Sequence, residues 1–318
     1  MDSEGQVYND RIPEIQSTII SNLSTSLPFV PQITEYLVET RYNTLRSRLT
    51  IRCASLFGET DSTILDIAGI LEYLHAASLL HRRVRKPGES RRKLKPIEDI
   101  WGNEASVLLG DYLLSRSFEI LSDNGNLDIL DTVSDATQKI ALGQILEISQ
   151  PFPSLGPVDC WKIMELKTAS LFEAGALCAA CWGSASDDTV EILRNFAKHL
   201  GMASALVTDL KALSDREILS RALRDEKLLY PVSHWLHDTL PPKDSARMKK
   251  SMDPSCRTEP GSEIWRDLKE STVNLMHTKI EEQFSLAGRQ LEVLTGHDSS
   301  ALKQLLSFDN HIDLGHPS

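Results

Sequence analysis

Between residues 82 and 95 the chain has almost no acid. Glu89 is the single carboxylate there, against eight lysines and arginines at 82, 83, 85, 86, 91, 92, 93 and 95. Setting this strip aside leaves 26 of the 34 bases and 44 of the 45 acids, so a net charge of −11 hides an acidic body of −18. An acidic body with one cationic strip suits the binding of a phosphate or an acidic partner at that strip. The strip has no interleaved aromatics and the chain is acidic, so no nucleic-acid partner is expected. Alternating apolar–polar runs of strand type are missing, as are internal repeats and low-complexity tracts, which leaves an all-α class. No apolar run approaches the roughly 18–20 residues of a membrane span, so no transmembrane segment is expected and the chain reads as soluble, with contact to a membrane surface left open. Five cysteines (Cys53, Cys160, Cys178, Cys181, Cys256) make an odd count without the spacing of a disulfide framework, which suits a reducing compartment. The start, Met1-Asp2-Ser3-Glu4-Gly5, is acidic and polar, unlike a signal or transit peptide.

The 318 residues, 41% of them hydrophobic, suffice for one large helical domain, and helical patterns run on without a compositional break. A single domain over 1–318 is therefore expected, with flexible tails at 1–12 and 309–318 and a mobile loop at 240–262, where Pro241, Pro242, Pro254 and Pro260-Gly261 cluster. Residues 13–50 read as two short helices parted near Pro28 and Pro31. Residues 62–86 read as a strong helix that Asp61 or Ser62 can cap, with Ile64, Ile67, Leu71, Leu74 and Ser78 at helical spacing and Pro87-Gly88 as its stop. Further helices are expected over 103–123 and 126–149, on either side of Asn124-Gly125. Others are expected over the small-residue stretch 160–182, over 187–214 and over 262–294. Cys178-x-x-Cys181 has the spacing of a redox or metal pair. Its Ala-rich helical surroundings hold no second pair and no His cluster, which favours small buried residues.

Several segments, in order, resemble the long-chain trans-polyprenyl diphosphate synthases. Leu74-His75-Ala76-Ala77-Ser78-Leu79-Leu80-His81 is similar to the helix leading into that family's first aspartate-rich motif, and Arg91-Arg92 to the arginine pair beyond it. Trp101-Gly102-Asn103-Glu104-Ala105, Leu109-Gly110-Asp111-Tyr112-Leu113-Leu114, Gly143-Gln144, Lys167-Thr168 and the stretch from Phe196 to Asp215 follow in family order. The resemblance runs from about residue 35 to 235. It implies an isoprenoid synthase-type helical bundle with two diphosphate subsites, one allylic and dependent on Mg²⁺, the other for isopentenyl diphosphate. Among substrate-binding positions, Arg46, His75 and Arg92 match isopentenyl-diphosphate contacts, while Arg91, Lys167, Thr168 and Lys227 match positions on the allylic side. The lysine that precedes Arg46 in the family signature is Asn43 here, and the proline after it is Ser47. The small residues Ala77 and Ser78 resemble those of long-chain synthases, where bulkier ones would floor the product tunnel.

The departures fall on the catalytic positions. Where the first motif places aspartates stand Arg82, Arg83 and Lys86, a change of about six charge units. The second motif reads Thr208, Asp209 and Ala212. Magnesium needs oxygen ligands, and on a helix 82 pairs with 86, and 208 with 212, so each pair would aim two carboxylates at one metal. The chain itself is expected to hold no metal and no other cofactor. No catalytic residue is assigned. Four readings of the basic strip stand: metal-free catalysis, a diphosphate site, a docking strip for an acidic patch of another chain, and a solvated helix end. His75 is either a pocket residue or a satisfied core histidine, and Lys167-Thr168 either a phosphate contact or a helix-surface pair. Because the family contains heteromers of an aspartate-bearing chain with one lacking the motif, the resemblance implies a non-catalytic subunit acting in quinone side-chain synthesis. Its partner would be a motif-intact synthase chain, in a heterodimer or heterotetramer, with Mg²⁺ in that partner alone and a diphosphate as a further candidate ligand. A divergent active prenyltransferase and a prenyl diphosphate-binding protein are the alternatives. The compartment would be the cytoplasm in a bacterium and the mitochondrion in a eukaryote.

Overall fold

The computed structural model describes residues 12–23, 44–58, 60–82, 97–149, 155–216, 218–219, 222, 229–239 and 259–306. Every regular element among them is helical: α1 (Ile12–Asn22), α2 (Leu45–Ala54), α3 (Ser62–Arg82), α4 (Ile97–Asn124), α5 (Leu127–Ser149), α6 (Pro157–Met164), a π-helical turn (Glu165–Ala169), α7 (Ser170–Trp182), α8 (Asp187–Ser214), α9 (Tyr230–Thr239), α10 (Glu259–Glu292), α11 (Ser300–Lys303) and a closing 3₁₀ turn (Gln304–Leu306). The fold class is all-α, as the patterning indicates. The tails 1–11 and 307–318 and the expected loop, apart from the start of α10, lie outside the described residues.

The described residues gather into two compact units. The first takes residues up to Gln138, Leu171–Ala197 and the chain from Gln290 on; the second takes Lys139–Ser170 and Lys198–Arg289.

In the first unit α3 is the central rod, packed by α1, α2 and α4. Asp61 caps it, its Oδ1 accepting the Ile64 N–H at 3.2 Å. A 20-residue stretch of α3 is long and apolar enough to cross a membrane by composition, with mean hydropathy 1.4, but most of it is buried inside the fold. Leu71, Tyr73 and Ala76 are wholly enclosed, and the Tyr73 hydroxyl donates to the Ile19 carbonyl at 3.0 Å. The α4–α5 corner turns at Gly125, whose φ of +74° suits a residue without a side chain. Asn126 then caps α5 by accepting the N–H groups of Asp128 and Ile129. The small residues of α7 do what their size allows. A Cβ on Gly175 would lie 2.4 Å from Thr50 Oγ1, so the glycine lets α7 close onto α2. Cys178 is buried and Cys181 half-buried; both are reduced.

In the second unit α9 packs on α6. Trp161 and Tyr230 meet edge to face with ring centroids 5.5 Å apart. The expected helix over 160–182 is broken by the π-helical turn, which the composition of the stretch does not signal. Helix α10 begins at Glu259 rather than near Ser262, with Pro260 tolerated in its first turn.

Candidate functional site

Arg46 lies in α2 and is 4% exposed. Its Nη2 meets Glu72 Oε2 at 2.8 Å, and the Ser47 hydroxyl donates to Glu72 Oε1 at 2.6 Å. The guanidinium also sits 5.9 Å from the Phe172 ring centroid. Arginine, glutamate and serine thus form one buried polar knot inside the first unit. Glu72 was not singled out from the sequence. Its signal is an acid on the buried side of an otherwise apolar helix, which requires a partner. Ser47 supplies a backbone N–H and a hydroxyl donor to Glu72 Oε1, neither of which a proline at this position could give.

His75 is half-buried on α3, its carbonyl accepting the Ser78 hydroxyl at 2.7 Å. Arg82 is the last residue of α3. Arg83, Lys86, Arg91, Arg92 and Lys227 lie outside the described residues. The His81 ring lies across α4: its Nε2 is 3.2 Å from Asp111 Oδ1, and a Cβ on Gly110 would fall 2.3 Å from that nitrogen. Gly110 is therefore small because the imidazole crosses its helix.

At the second motif position, Thr208 is exposed and turns its hydroxyl back to the Ser204 carbonyl at 2.9 Å. Ala212 is buried. Asp209 is 6% exposed, and its Oδ2 accepts the Tyr230 N–H at 2.9 Å. Tyr230 opens α9, so the one remaining aspartate satisfies a helix N-terminus and faces its positive dipole end.

Lys167 and Thr168 sit on the π-helical turn, a feature frequent at functional sites. Lys167 Nζ pairs with the Glu147 carboxylate of α5, with the two side chains 15% and 10% exposed. On the same turn Glu165 is held by Lys162 at 3.0 Å and by Lys198. Burial opposes its charge, yet the two ammonium groups win and hold its carboxyl below the usual range.

By sequence the first motif positions carry cations, and Asp209 Oδ2 accepts a backbone N–H. Among the described residues no group of three or more His, Cys, Asp or Glu side chains converges as a metal site.

The polyprenyl synthetase family model matches residues 28–256, and the chain belongs to that family. It is similar to the octaprenyl diphosphate synthase of Escherichia coli (strain K12), at 28% identity over 233 residues that cover 71% of this chain and 72% of that one. It is also similar to the chloroplastic heterodimeric geranylgeranyl pyrophosphate synthase large subunit 1 of Arabidopsis thaliana, at 31% identity over 59% of this chain and 56% of that one. The crystal structure of a decaprenyl diphosphate synthase from Rhodobacter capsulatus matches with a TM-score of 0.77 and 26% identity, covering 98% of this chain and 97% of that chain.

Proposed function

We propose that the chain is a non-catalytic subunit of a heteromeric long-chain polyprenyl diphosphate synthase. It would act beside a motif-intact chain that holds the Mg²⁺ and performs the condensation. The observation that carries this reading is the fate of the metal positions: Arg82, Arg83 and Lys86 at one motif, and Thr208, Ala212 and a backbone-bound Asp209 at the other. Ionising an allylic diphosphate needs charge stabilisation on the leaving group, and without a metal the reaction loses its main lever.

Exposed apolar side chains support a partner. Helix α4 leaves Leu108 69% exposed, and the end of α5 presents Leu142, Ile145 and Ile148 at three-residue spacing, all at least half exposed. One of the relatives is by name the large subunit of a heterodimer. The second reading, a divergent active prenyltransferase, is favoured by the names of the other relatives, which are diphosphate synthases.

The test is a prenyltransferase assay with Mg²⁺, isopentenyl diphosphate and an allylic diphosphate, on this chain alone and mixed with a motif-intact homologue of the same organism. The expected result is no turnover alone and a faster rate or altered product length in the mixture. Turnover by the chain alone overturns the subunit reading in favour of the second.

A further inference from the structure

We propose that α9 is fastened to α6 by a proton-sensitive clasp, in which a neutral His234 holds Tyr230 in place and a charged one loosens it. The clasp lies within the second unit and does not depend on whether the chain turns over substrate. Tyr230 and His234 stand one turn apart on α9, so their side chains share a face. His234 Nε2 lies 3.0 Å from the Tyr230 hydroxyl, and the two rings meet edge to face with centroids 4.8 Å apart. Tyr230, 5% exposed, in turn sets its ring edge to face against Trp161 of α6. The histidine therefore reaches α6 through the tyrosine. The Tyr230 N–H is the group that Asp209 of α8 accepts, so the same residue ties α9 to two helices.

A neutral imidazole offers one ring nitrogen as an acceptor, while an imidazolium carries a proton on both nitrogens and can only donate. Charging His234 also brings a cation into a half-buried place. Few charged groups face it. Asp238, one turn on, lies 3.9 Å from Nδ1 and favours the imidazolium, but it is 69% exposed and water screens it. His237 on the same helix and Lys279 of α10 oppose the charge. Glu282 of α10 and Cys160 of α6 act on the Tyr230 hydroxyl. Burial prevails and holds the histidine below its ordinary 6.5. A loosened α9, with the imidazole in water, takes up the proton more readily than a docked one. Docking is therefore complete above the ordinary value and weakens as the pH falls below it.

The experiment is hydrogen–deuterium exchange, read by mass spectrometry on the full chain and its His234→Gln and His237→Gln variants, at about pH 7.5 and about pH 5.5, with each rate divided by the intrinsic rate at that pH. Circular dichroism confirms that each variant is folded, and His234→Asn replaces His234→Gln if the latter misfolds. The expected result is that protection of the α9 amides in the parent falls by at least about threefold at the lower pH, part of the tenfold that a full unit of pKa difference would give. The fall is expected to vanish in His234→Gln and to persist in His237→Gln, whose side chain is 70% exposed in the parent. Unchanged protection of α9 in the parent overturns the proposal. So does a fall of equal size in His234→Gln, which assigns the proton to another group. A fall shared equally by every helix also overturns it, because the proton then loosens the whole fold rather than α9.

Discussion

Two cations that resemble phosphate contacts in sequence, Arg46 and Lys167, are both neutralised by an internal glutamate, yet the two pairs are built differently. Arg46–Glu72 is a core pair. Each partner is about 95% buried, Ser47 adds two contacts to the same carboxylate, and Phe172 covers the guanidinium. Lys167–Glu147 lies on an irregular turn, on a flexible stem that passes over a glycine. The first is part of the core and leaves only with the fold. The second is somewhat less buried, at 15% and 10% exposure of its side chains. Burial and additional hydrogen bonds, rather than the presence of an ion pair, separate an architectural pair from an exchangeable one.

Breaking the first pair has the largest expected effect. Glu72→Ala leaves a buried guanidinium without its carboxylate and lowers stability by about 3–5 kcal/mol, read by urea denaturation. A loss below ~1 kcal/mol would show that water reaches the knot. Gly143→Ala sharpens the contrast from the other side. The added methyl displaces the Lys167 stem at a cost of about 1–3 kcal/mol, offset in part by the roughly 0.5–1 kcal/mol that alanine gains over glycine inside a helix; the measurement is urea denaturation. Asp209→Ala removes the acceptor at the start of α9 and is expected to cost about 0.5–2 kcal/mol, in the range of a lost helix cap. If Mg²⁺ raises the melting temperature of the parent but not of this variant, Asp209 is a metal ligand and its structural role here is secondary. The smallest effect belongs to Lys198→Ala. Lys198 is 38% exposed and shares Glu165 with Lys162, so the change should lie within about 0–1 kcal/mol.

A pH experiment extends the comparison to α9. Burial holds the His234 pKa below its ordinary 6.5, against the pull of Asp238 and with His237 and Lys279 nearby. Its Nε2 sits 3.0 Å from the Tyr230 hydroxyl. The unfolded chain therefore binds this proton more readily than the folded one, and stability falls as pH drops below about 6.5. His234→Gln should flatten that part of the melting-temperature profile. An unchanged slope would assign it to other groups.

Much of the architecture is legible in the sequence. The periodicity of Ile64, Ile67, Leu71 and Leu74, the Asn124-Gly125 corner and the Asp187–Ser214 stretch mark α3, the α4–α5 turn and α8 near their observed ends, because apolar spacing and turn chemistry are local properties. Charge pairing is not. Glu72 lies 26 residues from Arg46, and Glu147 lies 20 from Lys167, so which acid meets which base depends on how helices cross. Nor does composition signal the π-helical turn. By itself the sequence determined an all-α chain of the polyprenyl synthetase family. Only the tertiary structure decided that Asp209 serves a helix end, that Arg46 is locked in the core and that Lys167 lies against Glu147. Hydrogen bonds and buried charges are satisfied by neighbours in space, which the order of residues along the chain does not fix.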